Sequence, residues 1–103
     1  MSTIIYGLLE EEKERNLEMQ EIHQKEIDSL PKGSIYRRRI GDGKNIYHYL
    51  SYRENGKTKT KYLGKDEEFI EETRKKIAKR KHLEKIVKRL KLEYIQICKI
   101  VKE

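Results

Sequence analysis

The sequence predicts an α+β protein: a long N-terminal helix, a three-stranded antiparallel β-meander, and a long C-terminal helix with coiled-coil heptads. Three observations carry this. Residues 4–30 hold no proline and no internal breaker after Gly7, and the one proline, Pro31, follows with Gly33 behind it. Residues 34–64 are rich in Ile, Tyr and Thr and are divided by two glycine turns. Residues 66–102 contain neither Gly nor Pro.

In the first segment Ile5, Leu8, Leu9, Met19, Ile22, His23, Ile27 and Leu30 fall on one side at helical pitch. Glu12 and Asn16 interrupt that stripe and Leu17 lies off it, so the last three turns are expected to pack best. Pro31 and Gly33 stop the helix.

The next 31 residues change period. Ser34–Ile40, Asn45–Glu54 and Lys57–Leu63 read as strands, separated by Gly41-Asp42-Gly43-Lys44 and by Asn55-Gly56. Asn-Gly supplies the two positive φ angles of a type I′ turn, and Asp42-Gly43 can do the same. Turn positions fix register. Tyr52 should face Lys59, Leu50 Lys61, His48 Leu63, Arg37 His48, and Arg39 Ile46.

Asp66 stands where an N-cap belongs, with Glu67 and Glu68 in the first turn. Phe69, Ile70 and Ile77 are placed to cover the sheet. Further on, Leu83, Val87, Leu90, Tyr94, Ile97 and Val101 alternate by four and three residues, a coiled-coil seam for a partner helix. Two partners are open to it: the acidic N-terminal helix, or the same seam of a second copy in a homodimer through the C-terminal helix.

A chain of 103 residues suits one small domain, and 42% charged against 35% hydrophobic residues implies a modest core. The net charge of +7 is uneven. Residues 1–31 carry three basic and eight acidic groups, or −5; residues 32–103 carry 22 and ten, or +12. This divides an acidic N-terminal helix (1–31) from a basic meander plus helix (32–103) within one compact domain. Such a balance points to an anionic partner. The N-terminal apolar patch is too short and too acidic at its flanks for a signal peptide, and no run approaches a membrane span. A cytoplasmic location in a bacterial cell, with no membrane partner, is the expectation.

Alternation splits the sheet into two faces. One carries Ile35, Arg37, Arg39, Ile46, His48, Leu50, Tyr52, Lys57, Lys59, Lys61 and Leu63; the other carries Tyr36, Arg38, Ile40, Tyr47, Tyr49, Ser51, Arg53, Thr58, Thr60 and Tyr62. With four tyrosines and an isoleucine against two charges, the second is expected to pack under the helix. The first is then free, with Arg37, Arg39, Lys57, Lys59 and Lys61 for phosphates and Tyr52 and His48 for stacking. Lys75 and Lys79, in the basic run Arg74–Lys91, extend the candidate nucleic-acid set. The opposite assignment is open, with Ile35, Leu50 and Leu63 as core and lysine stems along its rim.

The hairpin YLSYRENGKTKTKYLG resembles the three-stranded sheet of the arm-type DNA-binding domains of tyrosine recombinases, over about residues 34–80. That resemblance implies a basic sheet in a major groove with a helix packed behind it. The longer string LPKGSIYRRR…YHYLSYRENGKTKTKYLG is similar to small phage- and plasmid-borne prokaryotic proteins. In size and charge the chain is similar to small anti-CRISPR proteins, which implies a Cas effector or its guide RNA as target.

Catalytic signatures are missing. There is no P-loop, no dinucleotide-binding glycine pattern and no paired catalytic carboxylates. His23 with Glu21 or Glu26 lacks a visible third metal ligand. Cys98 has no positioned base and reads as a small hydrophobe. The sequence therefore predicts a non-enzymatic binder of DNA, RNA or a protein–RNA complex, with no metal and no cofactor. The alternatives are a coiled-coil adaptor, and a metal-free nuclease built on Tyr52, His48 and Arg37.

Overall fold

The computed structural model describes residues 3–41, 43 and 45–101. Its elements are α1 (Thr3–Ser29), β1 (Ser34–Ile40), β2 (Asn45–Glu54), β3 (Lys57–Gly64) and α2 (Glu67–Val101). They form the α+β arrangement expected, with a long helix before and a long helix after, in chain order, a three-stranded antiparallel sheet of order β1-β2-β3. The chain divides into two compact units. One is a helical hairpin of Met1–Ser29 with Lys81–Glu103, and the other a sheet unit of Leu30–Arg80.

In the sheet unit the turn chemistry works as the sequence requires. Asn55 (φ 53°) and Gly56 (φ 77°) supply the left-handed pair between β2 and β3. The β1–β2 loop spans 41–44 between the paired Ile40 and Asn45. Asp42 and Lys44 lie outside the described residues. Gly33 enters β1 at φ +115°, and a Cβ there would run into the Ser51 carbonyl oxygen. Only glycine fits.

Register matches the turn-based reading except at one place. Tyr49 pairs with Tyr62 but His48 pairs with Gly64, so Leu63 is an extra residue, a β-bulge, and His48 does not face Leu63. Gly64, at φ +92°, takes up the kink.

The helix covers the face opposite to the one expected. Leu50, Leu63, Ile70 and Ile77 form the buried cluster, with Ile35 and Tyr52 packed against it. The tyrosine face is left open: Tyr36 is 37% and Tyr62 55% exposed. The physical reason is the better apolar match. Branched aliphatic side chains of sheet and helix interlock without polar atoms, whereas four buried phenols would each need a hydrogen-bond partner. Ile70, Thr73 and Ile77 make the contact stripe of α2, and Phe69, expected to join it, is exposed instead.

The cap is as expected. Asp66 Oδ1 accepts from the Glu68 amide at 3.0 Å and the Phe69 amide at 3.4 Å, and the Ile70 amide donates to the Asp66 carbonyl at 3.0 Å. Arg80 Nη1 donates to the Leu30 carbonyl at 2.8 Å, joining this part of α2 to the residues that enter the sheet.

In the helical hairpin the seam of α2 is engaged by α1 of the same chain. Leu83 and Val87 are buried, and Leu90, Tyr94, Ile97 and Val101 are half-buried. The helices run antiparallel: Lys13 Nζ lies 6.0 Å from the Tyr94 ring centre, and Asn16 Nδ2 donates to the Leu90 carbonyl at 2.9 Å. The covered positions of α1 are Tyr6, Leu9, Lys13, Asn16, Gln20, His23 and Ile27, also spaced by three and four. This corrects the stripe read from hydrophobicity. Ile5, Leu8, Met19 and Ile22 are exposed, and Asn16, which breaks the hydrophobic stripe, is 3% exposed at the centre of the seam. Gln20 Nε2 donates to Asn16 Oδ1 at 2.7 Å, so the Asn16 amide is satisfied on both sides. A polar residue at one seam position fixes register at some cost in stability.

Two substitutions test the sheet unit. Leu50→Ala is expected to cost about 2–5 kcal/mol in urea unfolding, the range for a buried leucine. Gly33→Ala is also expected to be clearly destabilising although it removes no atoms. A value within error of wild type would contradict the close approach to Ser51.

Candidate nucleic-acid interface

The open face is built by alternation. Ser34, Tyr36, Arg38 and Ile40 of β1 lie beside Asn45, Tyr47, Tyr49, Ser51 and Arg53 of β2, then Thr58, Thr60 and Tyr62 of β3. Cross-strand register lines up Tyr36, Tyr49 and Tyr62 in a single row. The Tyr36 and Tyr49 rings stack with centroids 5.6 Å apart and planes at 19°. Tyr62 tilts onto Tyr49 at 5.4 Å and onto Tyr47 at 6.0 Å. Next to this row runs a second one of hydroxyls, Ser34, Ser51 and Thr60.

Cations sit on both sides of the row along the strands. Arg38 pairs across from Tyr47, and the Lys65 ammonium lies 4.6 Å from the Tyr47 ring centre while donating to Asn45 Oδ1 at 3.1 Å. On the other side, beyond the hydroxyl row, Arg53 donates to the Gly56 carbonyl at 3.2 Å. Among the described strand residues on this face there is no carboxylate. An exposed aromatic row, framed by guanidinium and ammonium groups, can stack on planar rings and neutralise phosphates.

The site residues predicted from sequence are distributed otherwise. Arg37, Arg39, Lys57, Lys59 and Lys61 are exposed but belong to the face that α2 covers. Arg37, His48, Arg74 and also Lys65 line a shallow cleft together with Glu67 and Glu71, and Lys59 is 3.3 Å from Glu54. Cations there share their space with carboxylates. Tyr52 packs on the core cluster, so its ring is engaged. His48 has its Nδ1 buried without a hydrogen-bond partner among the described residues. Lys75 and Lys79 are exposed on the side of α2 away from the Ile70–Thr73–Ile77 stripe. Tyr36, Arg38, Tyr47, Tyr49, Arg53, Tyr62 and Lys65 are the members that sequence reasoning missed. The available signal was the aliphatic set Ile35, Leu50 and Leu63, which marks the opposite face as core.

Charge follows the same division. The sheet unit, residues 30–80, holds 15 basic groups against seven acids, or +8. The helical hairpin, residues 1–29 and 81–103, holds ten against eleven, or −1. The excess positive charge of the chain therefore lies in the unit that carries the open tyrosine face.

Residues 9–75 match the model of a protein family described as Domain of unknown function (DUF6788). The chain belongs to that family. The DUF6788 match runs through the whole sheet and the first turns of α2, and so spans every residue of the open face. No curated protein and no solved structure matches the chain. Among the described residues no group of three or more His, Cys, Asp or Glu is placed to hold a metal ion, and no helix is long and apolar enough to cross a membrane.

The two faces are separable by mutation. Tyr52→Ala removes a ring packed on the core and is expected to approach the roughly 3–5 kcal/mol cost of a truncated core aromatic. Tyr62→Ala, at an exposed edge position, is expected to cost under about 1.5 kcal/mol, the worth of its ring contacts. Equal losses in denaturant midpoint would contradict the assignment of faces.

Proposed function

We propose that the sheet unit is a non-enzymatic nucleic-acid-binding module and that its open tyrosine face is the contact surface. The observation that carries this is the aromatic row Tyr36–Tyr49–Tyr62, on a face whose described strand residues include no carboxylate, framed by Arg38, Arg53 and Lys65. Solvated surfaces of mixed charge are ordinary, but exposed aromatic rows are not, because each ring forfeits burial. Tyr36 and Tyr62 end the row at the two sheet edges and keep ring surface for a base. Tyr49 is flanked by rings on both sides and serves as their support. Arg38, Arg53 and Lys65 supply the phosphate contacts.

A binder of this kind is also the role implied by the resemblance to mobile-element proteins. A naked nucleic acid and a ribonucleoprotein such as a Cas effector with its guide RNA present the same phosphates. Separating them is part of the test.

Anisotropy titrations with labelled single-stranded and duplex DNA, structured RNA and a Cas9–guide complex, each at two salt concentrations, decide the matter. Tyr36→Ala combined with Tyr62→Ala is expected to weaken binding by at least tenfold, from about 1–3 kcal/mol for each base–ring contact. Arg38→Ala with Arg53→Ala is expected to reduce the slope of log K against log salt by about 0.7–0.9 per lost contact. Binding that survives both, but falls in a Lys57/Lys59/Lys61 triple alanine variant, would overturn the open face in favour of the β3 lysines. Binding to the Cas9–guide complex alone would make the ribonucleoprotein the target.

A further inference from the structure

The helical hairpin leaves apolar side chains outside its own seam. On α1, Ile5, Leu8, Met19 and Ile22 are all exposed, Leu8 by 60% and Ile22 by 57%. With Glu12 and Arg15 they form one straight stripe, since 5, 8, 12, 15, 19 and 22 alternate by three and four residues. The stripe lies beside the seam that faces α2 and shares no residue with it. Its two middle members are bonded to each other, Arg15 Nη1 to Glu12 Oε2 at 2.9 Å, with both side chains more than half exposed.

The order of residues along this stripe is self-complementary. Turned end over end about a point between Lys13 and Glu14, Ile5 falls on Ile22, Leu8 on Met19, and Glu12 on Arg15. Every apolar position meets an apolar one, and the acid meets the base at both central layers. Antiparallel coiled coils pair their two kinds of seam position crosswise, and this stripe does the same. A parallel pairing would instead set Glu12 on Glu12 and Arg15 on Arg15, a like-charge clash that excludes it.

We propose that a second copy of this chain covers the outer stripe of α1, antiparallel and about a twofold axis between residues 13 and 14. The stripe is about 26 Å long at 1.5 Å per residue. It converts each two-helix hairpin, in which Ile27, Leu83 and Val87 are the buried apolar residues among the described ones, into half of a four-helix core. Burial of the four apolar positions holds the pair together, and Glu12 with Arg15 of the other copy sets direction and register. The exposed Leu92 and Ile95 of α2 do not offer the same, because Lys85, Lys88 and Lys99 lie in line with them and two copies would oppose their lysines. This interface does not use the α2 seam and is independent of nucleic-acid binding.

Two measurements on the full chain test it. Sedimentation over a concentration series is expected to show a mass rising from 12.5 kDa to twice that value. Ile22→Glu, which sets a carboxylate against Ile5 of the other copy, is expected to weaken the dimer at least about a hundredfold while circular dichroism stays unchanged. In a Cys98→Ser background, Leu8→Cys mixed with Met19→Cys is expected to form a disulfide under mild oxidation. Neither variant alone should cross-link, since like positions lie about 16 Å apart in the pair. A monomer at every concentration, a dimer indifferent to Ile22→Glu, or cross-linking by Leu8→Cys alone would each overturn the proposal.

Discussion

The contact of Ile70 and Ile77 with Leu50 and Leu63 decides what the rest of the sheet unit can be. A three-stranded sheet has two faces, and within this unit the chain supplies one stretch of helix to cover them. The covered face becomes core and the other meets solvent or a partner. Aliphatic side chains win the covered position because they bury area without leaving polar atoms unpaired. Tyrosines are displaced to the open side as a consequence, and Arg38, Arg53 and Lys65 come with them through alternation and the bulge at Leu63.

That constraint also separates two kinds of positive charge. The cations of the covered face look toward α2, whose first turns carry Glu67 and Glu71, and toward Glu54 at the hairpin tip. Their fields are partly cancelled at close range. Arg38 and Arg53 of the open face have aromatic rings and hydroxyls as strand neighbours, while Lys65 bridges the two settings, over the Tyr47 ring and at the cleft of Glu67 and Glu71. For long-range attraction of a polyanion the whole +8 of the unit counts, and at contact distance Arg38 and Arg53 stand on a face whose described strand residues include no carboxylate.

Much of this was legible in the sequence, and the failures have identifiable causes. Pro31, Asn55-Gly56 and Asp66 act through local backbone chemistry, so element bounds and most of the register could be read from them. The heptad from Leu83 to Val101 was equally clear because its positions are apolar. Its partner stripe on α1 was not, since Lys13, Asn16, Gln20 and His23 occupy covered positions there while Ile5, Leu8, Met19 and Ile22 stay outside. Hydrophobicity alone picks the wrong side of such a helix. The sheet face was misjudged through counting tyrosines as core and lysines as surface, when Ile35, Leu50 and Leu63 already matched Ile70 and Ile77 in kind. The bulge at Leu63 left only Gly64 as a trace.

The most direct measurement of the central claim is a heteronuclear NMR titration of the chain with a short labelled-free oligonucleotide, followed through the tyrosine ring and arginine side-chain resonances. The ring signals of Tyr36, Tyr47, Tyr49 and Tyr62 and the guanidinium signals of Arg38 and Arg53 should shift together and saturate at one affinity, with Tyr52, Arg37 and Arg39 little changed. Shifts concentrated on Arg37, Arg39 and the β3 lysines, with the tyrosine row silent, would contradict the account.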